Sequence, residues 1–137
     1  MTTTTFLSPP SMPPTRGYTQ IVESQGPCRT IYLSGQLGLT KEGQFAGADF
    51  RSQVTQCFEN VKTALRELGA GFEHVVKITN YFTDMSDLPT FFEVRDSYVN
   101  TKAPPAGTAV QVVRLALPRA VFELEAIAVV PITESEH

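Results

Sequence analysis

One change in the spacing of apolar residues limits the folds that this 137-residue chain can adopt. Between positions 50 and 68, apolar residues recur at steps of three and four, which is the spacing of an amphipathic helix. Asp49 can accept hydrogen bonds from free backbone amides at the start of this helix, and Gly69 can adopt the left-handed conformation that ends one. A helix with one apolar face must pack on another element, so the chain needs a second layer.

The second layer is predicted by β-rich runs on both sides of the helix. Before it, "YTQIVES" and "RTIYLSGQ" are separated by the turn-forming "QGPC", which predicts a hairpin. After it, "HVVKITNYFTD" predicts a strand. This strand is followed by a second, shorter predicted helix in "SDLPTFFEVRDSYVN", with Ser86 or Asp87 as its cap.

Two further runs complete the predicted sheet. "GTAVQVVRL" and "AVFELEAIAVV", joined by "ALPR", are expected to form a terminal hairpin. The full order is ββαβαββ. It predicts an α/β sandwich in which two helices cover one face of a mixed sheet.

The last predicted strand has two apolar faces, because side chains alternate along a strand. One face suits the helices and comprises Phe122, Leu124, Ala126, Ala128 and Val130. The other face comprises Val121, Glu123, Glu125, Ile127 and Val129, and no element of the chain is left to cover it. Apolar patches of this kind mark interfaces, so we expect a homo-oligomer. The alternative is a monomer with a shallow uncovered sheet.

Composition sets the domain boundaries and excludes several classes of protein. Residues 1–17 are rich in threonine and proline and are predicted to form an extended arm; residues 18–131 form one domain, and 132–137 form a polar tail. The net charge of −3 comes from interspersed charges, which argues against nucleic-acid binding. No apolar run is long enough for a membrane span, and no secretory signal is evident, so we expect a cytoplasmic protein.

The few cysteines and histidines give no metal-ligand pattern. Cys28 and Cys57 lack CxxC spacing, and the chain has only two histidines, one of them His137. We therefore expect no metal site, and we interpret both thiols as structural or incidental.

Two carboxylates are the strongest candidates for chemistry. Glu123 and Glu125 lie two residues apart on the uncovered face, where an unpaired carboxylate is costly. A carboxylate in a crevice there can hold a proton or orient water. An intersubunit salt bridge is the alternative role. Tyr18 and the "SGQ" segment that begins at Ser34 add polar groups near the ends of the first two predicted strands.

Several fragments together resemble one known family. They are "GYTQ", "IYLSGQLGLTKEGQ", "QCFENVKTALRELGAGFEHVVKITNYFTDMSDLPTFFEVRDSYV", "APPAG" and "RAVFELEAIAVV". From about Tyr18 to Val130 the chain resembles the YjgF/YER057c/UK114 family, also called the RidA or reactive intermediate (imine/enamine) deaminase family. The resemblance implies a chorismate-mutase-like fold assembled as a homotrimer, with the helices outside, a central β-barrel, and ligand clefts between subunits.

The resemblance also implies a set of site residues. Deaminating members hydrolyse 2-aminoacrylate and related imines without a metal or an organic cofactor. The catalytic glutamate of the family falls on Glu123, its cleft tyrosine on Tyr18, and its ligand-contacting Ser-Gly pair on Ser34 and Gly35. The arginine that grips the substrate carboxylate is absent, because Gly107 occupies its position.

Gly107 therefore predicts a wider and less positive cleft. A charge-assisted hydrogen bond contributes about 1.5 to 3 kcal/mol, so its loss weakens the binding of small acids. Arg16 or Arg95 could replace the missing cation, and the sequence leaves both open. Phe92, where some deaminating members carry polar residues, is predicted to contact a more apolar ligand or to pack against the sheet.

The sequence supports two principal hypotheses of function. In the first, the chain binds a small imine, enamine or carbonyl compound in intersubunit clefts; the sequence leaves open whether it hydrolyses that compound, and 2-aminoacrylate is expected to be a poor substrate. In the second, a trimer retains the clefts but only senses a ligand or binds a protein. A third activity, endoribonuclease, is attached to some relatives by name, and the charge pattern argues against it.

Overall fold

The computed structural model describes residues 3–132, which form eight helices and strands and two short 3-10 turns. In chain order the elements are β1 (Thr3–Leu7), β2 (Ile21–Gln25), β3 (Cys28–Leu37), α1 (Phe50–Glu67), β4 (Val75–Phe82), α2 (Leu88–Asp96), β5 (Ala106–Gln111) and β6 (Phe122–Pro131). The 3-10 turns are Phe72–His74 and Met85–Asp87. The predicted α/β sandwich with two helices is confirmed, and β1 is an additional strand within the predicted arm.

A four-stranded mixed sheet in the order β3-β6-β4-β5 forms one layer of the fold. β6 runs antiparallel to both of its neighbours. β5 runs parallel to β4, because α2 carries the chain back to the same end of the sheet before β5 begins. β6 therefore has hydrogen-bonded neighbours on both sides, and its alternate residues from Phe122 to Val130 are buried.

Both predicted hairpins are wrong, because each strand pairs with a partner distant in sequence. β2 pairs with β1 in a separate two-stranded sheet, so the turn "QGPC" does not join paired strands. β3 instead pairs with β6, and β4 separates β5 from β6. Turn residues indicate where a strand ends, whereas the partner of a strand depends on the packing of the whole domain.

The predicted ends of the first helix are confirmed. Asp49 accepts a hydrogen bond from the backbone amide of Ser52 at 3.0 Å, and Gly69 has a φ of +69°. Asp87, one of the two predicted caps, lies at the N-cap position of the second helix, but its side chain makes no capping hydrogen bond. Asp84 caps the 3-10 turn that precedes α2 and accepts a hydrogen bond from the amide of Ser86.

The core lies between the helices and the sheet and is rich in aromatic rings. Phe82 on β4 is fully buried and contacts three other rings, with centroid distances of 5.7 Å to Phe50, 5.3 Å to Phe91 and 5.2 Å to Phe122. These rings come from both helices and both central strands. The aromatic cluster therefore fixes the helices on one face of the sheet.

The opposite face of the sheet is open. As the alternation predicts, the inward residues of β6 are buried, whereas Ile127 and Val129 are half-buried and Glu125 is exposed. Tyr32, paired with Ile127 on this face, is 76% exposed. We call this surface the open face.

Candidate functional site

Three polar side chains of β4 and β6 lie together on the open face. Tyr81 is paired with Glu123 across the two strands, and its hydroxyl donates a hydrogen bond of 2.5 Å to Oε1 of Glu125. Glu125 thus has a fixed partner. Of the two glutamates, Glu123 is the one whose carboxyl is not bonded to Tyr81.

A bulge in β3 brings the predicted Ser-Gly pair against Glu123. The register with β6 shifts between Leu33 and Gln36, so Ser34 and Gly35 lie in the bulge. A side chain at Gly35 would overlap Oε2 of Glu123. The predicted residues Ser34, Gly35 and Glu123 are therefore neighbours in one protomer.

The surroundings of Glu123 favour its protonated form. Partial burial raises the pKa of its carboxyl above the ordinary value, and the negative charge of Glu125 raises it further. A carboxyl with a raised pKa can exchange protons nearer to neutral pH.

The nearby thiol of Cys57 does not add a nucleophile to this group. Its Sγ donates to the carbonyl oxygen of Gln36 at 3.2 Å, and burial raises the pKa of the thiol. Only the thiolate is an effective nucleophile, so Cys57 is a structural residue.

The other predicted site residues line an open cavity of about 910 Å³. It lies between the N-terminal segment, α2 and the edge strand β5, and we call it the α2–β5 cavity. Its walls include Arg16, Tyr18, Asn80, Phe92, Arg95 and Gly107. Both arginines that could replace the missing cation thus lie around the space at Gly107.

Gly107 leaves room for a side chain. Its backbone does not have the positive φ that demands glycine. A Cβ at this position would lie 3.6 Å from Cβ of Tyr18 and 3.7 Å from the carbonyl oxygen of Ile78, which are ordinary contacts. Gly107 is therefore not required by the fold, and its effect is to widen the cavity.

Tyr18 is fixed in this cavity by its neighbour in the sequence. The hydroxyl of Thr19 donates to the carbonyl oxygen of Pro104 at 2.5 Å, and its amide donates to that of Pro105 at 3.2 Å. These bonds attach the segment before β2 to the start of β5. Thr19 is a contributor that the sequence analysis did not identify.

Asn80 is a second residue that the sequence analysis missed. Its side chain is 5% exposed and donates to the carbonyl oxygen of Thr108 at 3.2 Å. Within residues 3–132, no group donates a hydrogen bond to its Oδ1. The sequence does contain a signal for Asn80. It is a polar residue between Ile78 and Phe82, two apolar residues of the same strand that face the core.

The two groups of predicted site residues lie on opposite faces of the sheet. Gly107 pairs with Ile78 of the core face, whereas Glu123 pairs with Tyr81 of the open face. Two strand spacings and three residue rises separate their backbones, a distance of about 14 Å. A single small ligand therefore cannot contact both within one protomer.

Two negative findings concern the described part of the chain. In residues 3–132, no three His, Cys, Asp or Glu side chains are grouped so that they could hold a metal ion. No helix in the same range has the length and apolar composition of a membrane-spanning segment.

Comparison with known proteins identifies the family. The family model described as endoribonuclease L-PSP matches residues 10–130. A RutC family protein of Aquifex aeolicus (strain VF5) is 34% identical over 123 residues, covering 89% of this chain and 95% of that protein. A Mus musculus protein named 2-iminobutanoate/2-iminopropanoate deaminase is 39% identical over 114 residues, covering 82% of this chain and 80% of that protein.

A solved structure shows the same fold. YyfB from Yersinia pestis, described as a protein of unknown function of the conserved Rid protein family, matches with a TM-score of 0.80 and 27% identity. The match covers 91% of this chain and 97% of that chain. The chain therefore belongs to the YjgF/RidA family, and its two helices on a mixed sheet form the chorismate-mutase-like fold of that family.

Proposed function

We propose that this chain is a homotrimeric hydrolase that converts small imines or enamines to carbonyl compounds and ammonia in clefts between subunits. The observation that carries the proposal is the half-buried carboxyl of Glu123, which has a raised pKa and lies against Gly35 on the open face. Such a carboxyl can both donate and accept a proton during one turnover. The name of the mouse relative supports the hydrolysis of C=N bonds.

Glu123 has two roles in the proposed reaction. Its protonated carboxyl donates a proton to the imine nitrogen, and the resulting carboxylate accepts a proton from the water that attacks the imine carbon. The reprotonated carboxyl then donates its proton to the nitrogen of the carbinolamine and accepts the hydroxyl proton, so the C–N bond breaks, the carbonyl group forms and ammonia leaves. One imine and one water thus give one carbonyl compound and one ammonia.

The apolar residues of the open face support the proposed trimer. The open face presents the largely exposed ring of Tyr32 together with the half-buried Ile127 and Val129. Burial of this face against another copy removes apolar surface from water. In the proposed assembly, Glu123, Ser34 and Gly35 of one chain complete a cleft with Tyr18 and the α2–β5 cavity of the next.

The proposed substrate range follows from Gly107. A glycine gives no guanidinium fork for the carboxylate of a three-carbon acid such as 2-aminoacrylate. The wider cavity instead accommodates a larger substrate. We therefore expect weak hydrolysis of 2-aminoacrylate and faster hydrolysis of bulkier imines.

The test supplies 2-aminoacrylate from a dehydratase and measures ammonia release by the wild type, Gly107→Arg and Glu123→Gln. We expect a slow wild type, a gain of about tenfold or more in Gly107→Arg, and loss of catalysis in Glu123→Gln. A second series repeats the measurement with bulkier imines generated by an amino-acid oxidase.

Two results would count against the proposal in different ways. Rapid hydrolysis of 2-aminoacrylate by the wild type would contradict the role assigned to Gly107. Absence of turnover with every imine and every variant would contradict an enzyme, and it would favour the sensing or protein-binding trimer.

A further inference from the structure

The α2–β5 cavity has the charge and lining of an acid-binding site. The described residues that line it include two arginines and no aspartate or glutamate. Most of its other lining is apolar or aromatic, including Phe91, Phe92 and Leu88. A wall with this composition fits a ligand with one anionic end and an apolar body.

Arg95 is the arginine that the structure holds in place. It is 9% exposed, its guanidinium lies 4.7 Å from the ring centroid of Phe92, and its Nε and one Nη donate to the same oxygen of Asp96 at 3.1 and 2.7 Å. These contacts leave N–H groups on the other side of the fork for a ligand. Arg16, in contrast, is exposed at the cavity rim.

The backbone at Gly17 also adapts to Arg95. Gly17 has a φ of +76°, and a side chain there would overlap the guanidinium. The segment that carries Tyr18 therefore passes directly over the charged group. A guanidinium fixed on several sides loses little freedom when it binds a carboxylate.

Asn80 gives a second, independent indication of a ligand. The carbonyl oxygen of Thr108 can only accept, so the amide nitrogen of Asn80 must face it and Oδ1 must be the atom without a partner. Within residues 3–132, nothing compensates for the burial of this acceptor. A buried acceptor in a cavity wall is satisfied when a ligand brings an N–H or O–H donor.

We propose that the α2–β5 cavity binds small acids with an aromatic or branched apolar body, with Arg95 anchoring the carboxylate and Asn80 accepting from an N–H or O–H on the adjacent carbon. The inference rests on the proposed function for its catalytic meaning: among imine substrates, Arg95 and Asn80 select 2-imino acids with a large apolar body. The guanidinium of Arg95 thus serves these larger acids, whereas position 107 offers no cation to a three-carbon acid.

The experiment measures binding rather than turnover, so its result is independent of hydrolysis. The full chain is titrated calorimetrically with three stable probes: 2-hydroxy-3-phenylpropanoate, 3-phenylpropanoate and 3-phenylpropan-1-ol. The first carries both recognition groups, the second lacks the donor on the adjacent carbon, and the third lacks the carboxylate. We expect affinity to fall about three- to tenfold at the first removal and about 10- to 100-fold when the carboxylate is removed.

Two variants assign these losses to residues. Arg95→Gln should weaken both acids about 10- to 100-fold and leave the alcohol unchanged. Asn80→Leu should abolish the difference between the two acids. Arg51→Gln is the matched control, because Arg51 is an exposed arginine paired with Glu93 outside the cavity, and it should change neither affinity.

Asp96→Asn keeps the test decisive if Arg95→Gln does not fold. Asp96 is on the surface side of the pair, and its removal frees the guanidinium, so both acids should bind more tightly. Equal affinities in the wild type, Arg95→Gln and Asp96→Asn would overturn the proposal. Binding of the hydroxy acid to the folded wild type weaker than about 10 mM would also overturn it, whether or not the chain hydrolyses imines.

Discussion

Oε2 of Glu123 occupies the space that a side chain at Gly35 would fill. Gly35 does not have a positive φ, so the backbone does not require glycine here. The missing side chain instead leaves room for the carboxylate of Glu123. The bulge in β3 thus positions Glu123. This relationship can be tested without changing the glutamate itself.

Replacement of Gly35 by alanine should lower the activity because the added methyl group displaces the carboxyl of Glu123. A shift of about 1 Å at a catalytic group costs on the order of 100-fold in rate. The matched control is Gly107→Ala, where the new Cβ makes only ordinary contacts. Steady-state hydrolysis of an imine by both variants checks the prediction. A Gly35→Ala rate equal to the wild-type rate would show that Gly35 does not position Glu123.

The raised pKa of Glu123 has a consequence for stability. Because the pKa is higher in the folded chain than in the unfolded chain, the folded chain binds this proton more tightly. The contribution is present at pH values below the ordinary pKa of 4.5 and is lost as the pH rises through the raised pKa. Glu123→Gln should therefore gain stability relative to the wild type as the pH rises from 4 to 7.

Denaturant unfolding at fixed protein concentration measures this difference. Glu42→Gln, an exposed carboxylate in the loop before α1, is the control and should follow the wild-type curve. A stability of Glu123→Gln that falls, or does not change, relative to the wild type as the pH rises would contradict the assignment.

Glu125→Gln should lower the pKa of Glu123. The negative charge of Glu125 is the second cause of the raised value, and burial is the first. The pKa should therefore fall but remain above 4.5. Carboxyl-selective nuclear magnetic resonance titration follows the group directly. A pKa that does not change, or that rises, would show that the two carboxyl groups do not interact.

Phe82 should be among the most costly core residues to truncate. It is fully buried and contacts three other aromatic rings, so Phe82→Ala leaves a cavity and should cost about 3 to 5 kcal/mol of unfolding free energy. Val113→Ala, at a fully exposed apolar residue, should cost no more than about 0.5 kcal/mol. Similar losses in both variants would contradict the packing described for the core.

The open face should control assembly. Tyr32→Glu places a charge at the most exposed aromatic residue of this face and should dissociate the proposed trimer. Val113→Glu introduces the same charge at an exposed apolar residue outside this sheet and should leave the proposed trimer intact. Light scattering should give three times the 15.0 kDa of one chain for the wild type and for Val113→Glu. A wild type that is monomeric would contradict the assembly.

Local patterns in the sequence were sufficient to predict the two helices and to assign the residues of β6 to its two faces. The first helix could be predicted because its start and end each depend on one nearby residue, Asp49 and Gly69. β1 was missed because threonine and proline also favour extended segments without partners. The strand partners were predicted wrongly because pairing depends on contacts distant in sequence.

The candidate site shows a similar division. The family resemblance predicted Glu123 and Gly107, but not that they lie on opposite faces of one sheet. Asn80 and the ion pair of Arg95 could not be predicted, because an unpartnered amide and a stacked guanidinium depend on three-dimensional packing. The positions of Glu123 and Gly107 relative to each other follow from the pairing of β4 with β6 and with β5.

The central claim is that each active cleft joins Glu123 of one subunit to the α2–β5 cavity of the next. The direct measurement mixes two variants, Glu123→Gln and Gly107→Trp, the second of which places an indole ring in the α2–β5 cavity beside Tyr18. Each alone should be inactive with an apolar 2-imino acid. After they are unfolded and refolded together, about a quarter of the clefts combine two wild-type halves and should restore that share of the activity. A mixture as inactive as its two components would contradict the claim.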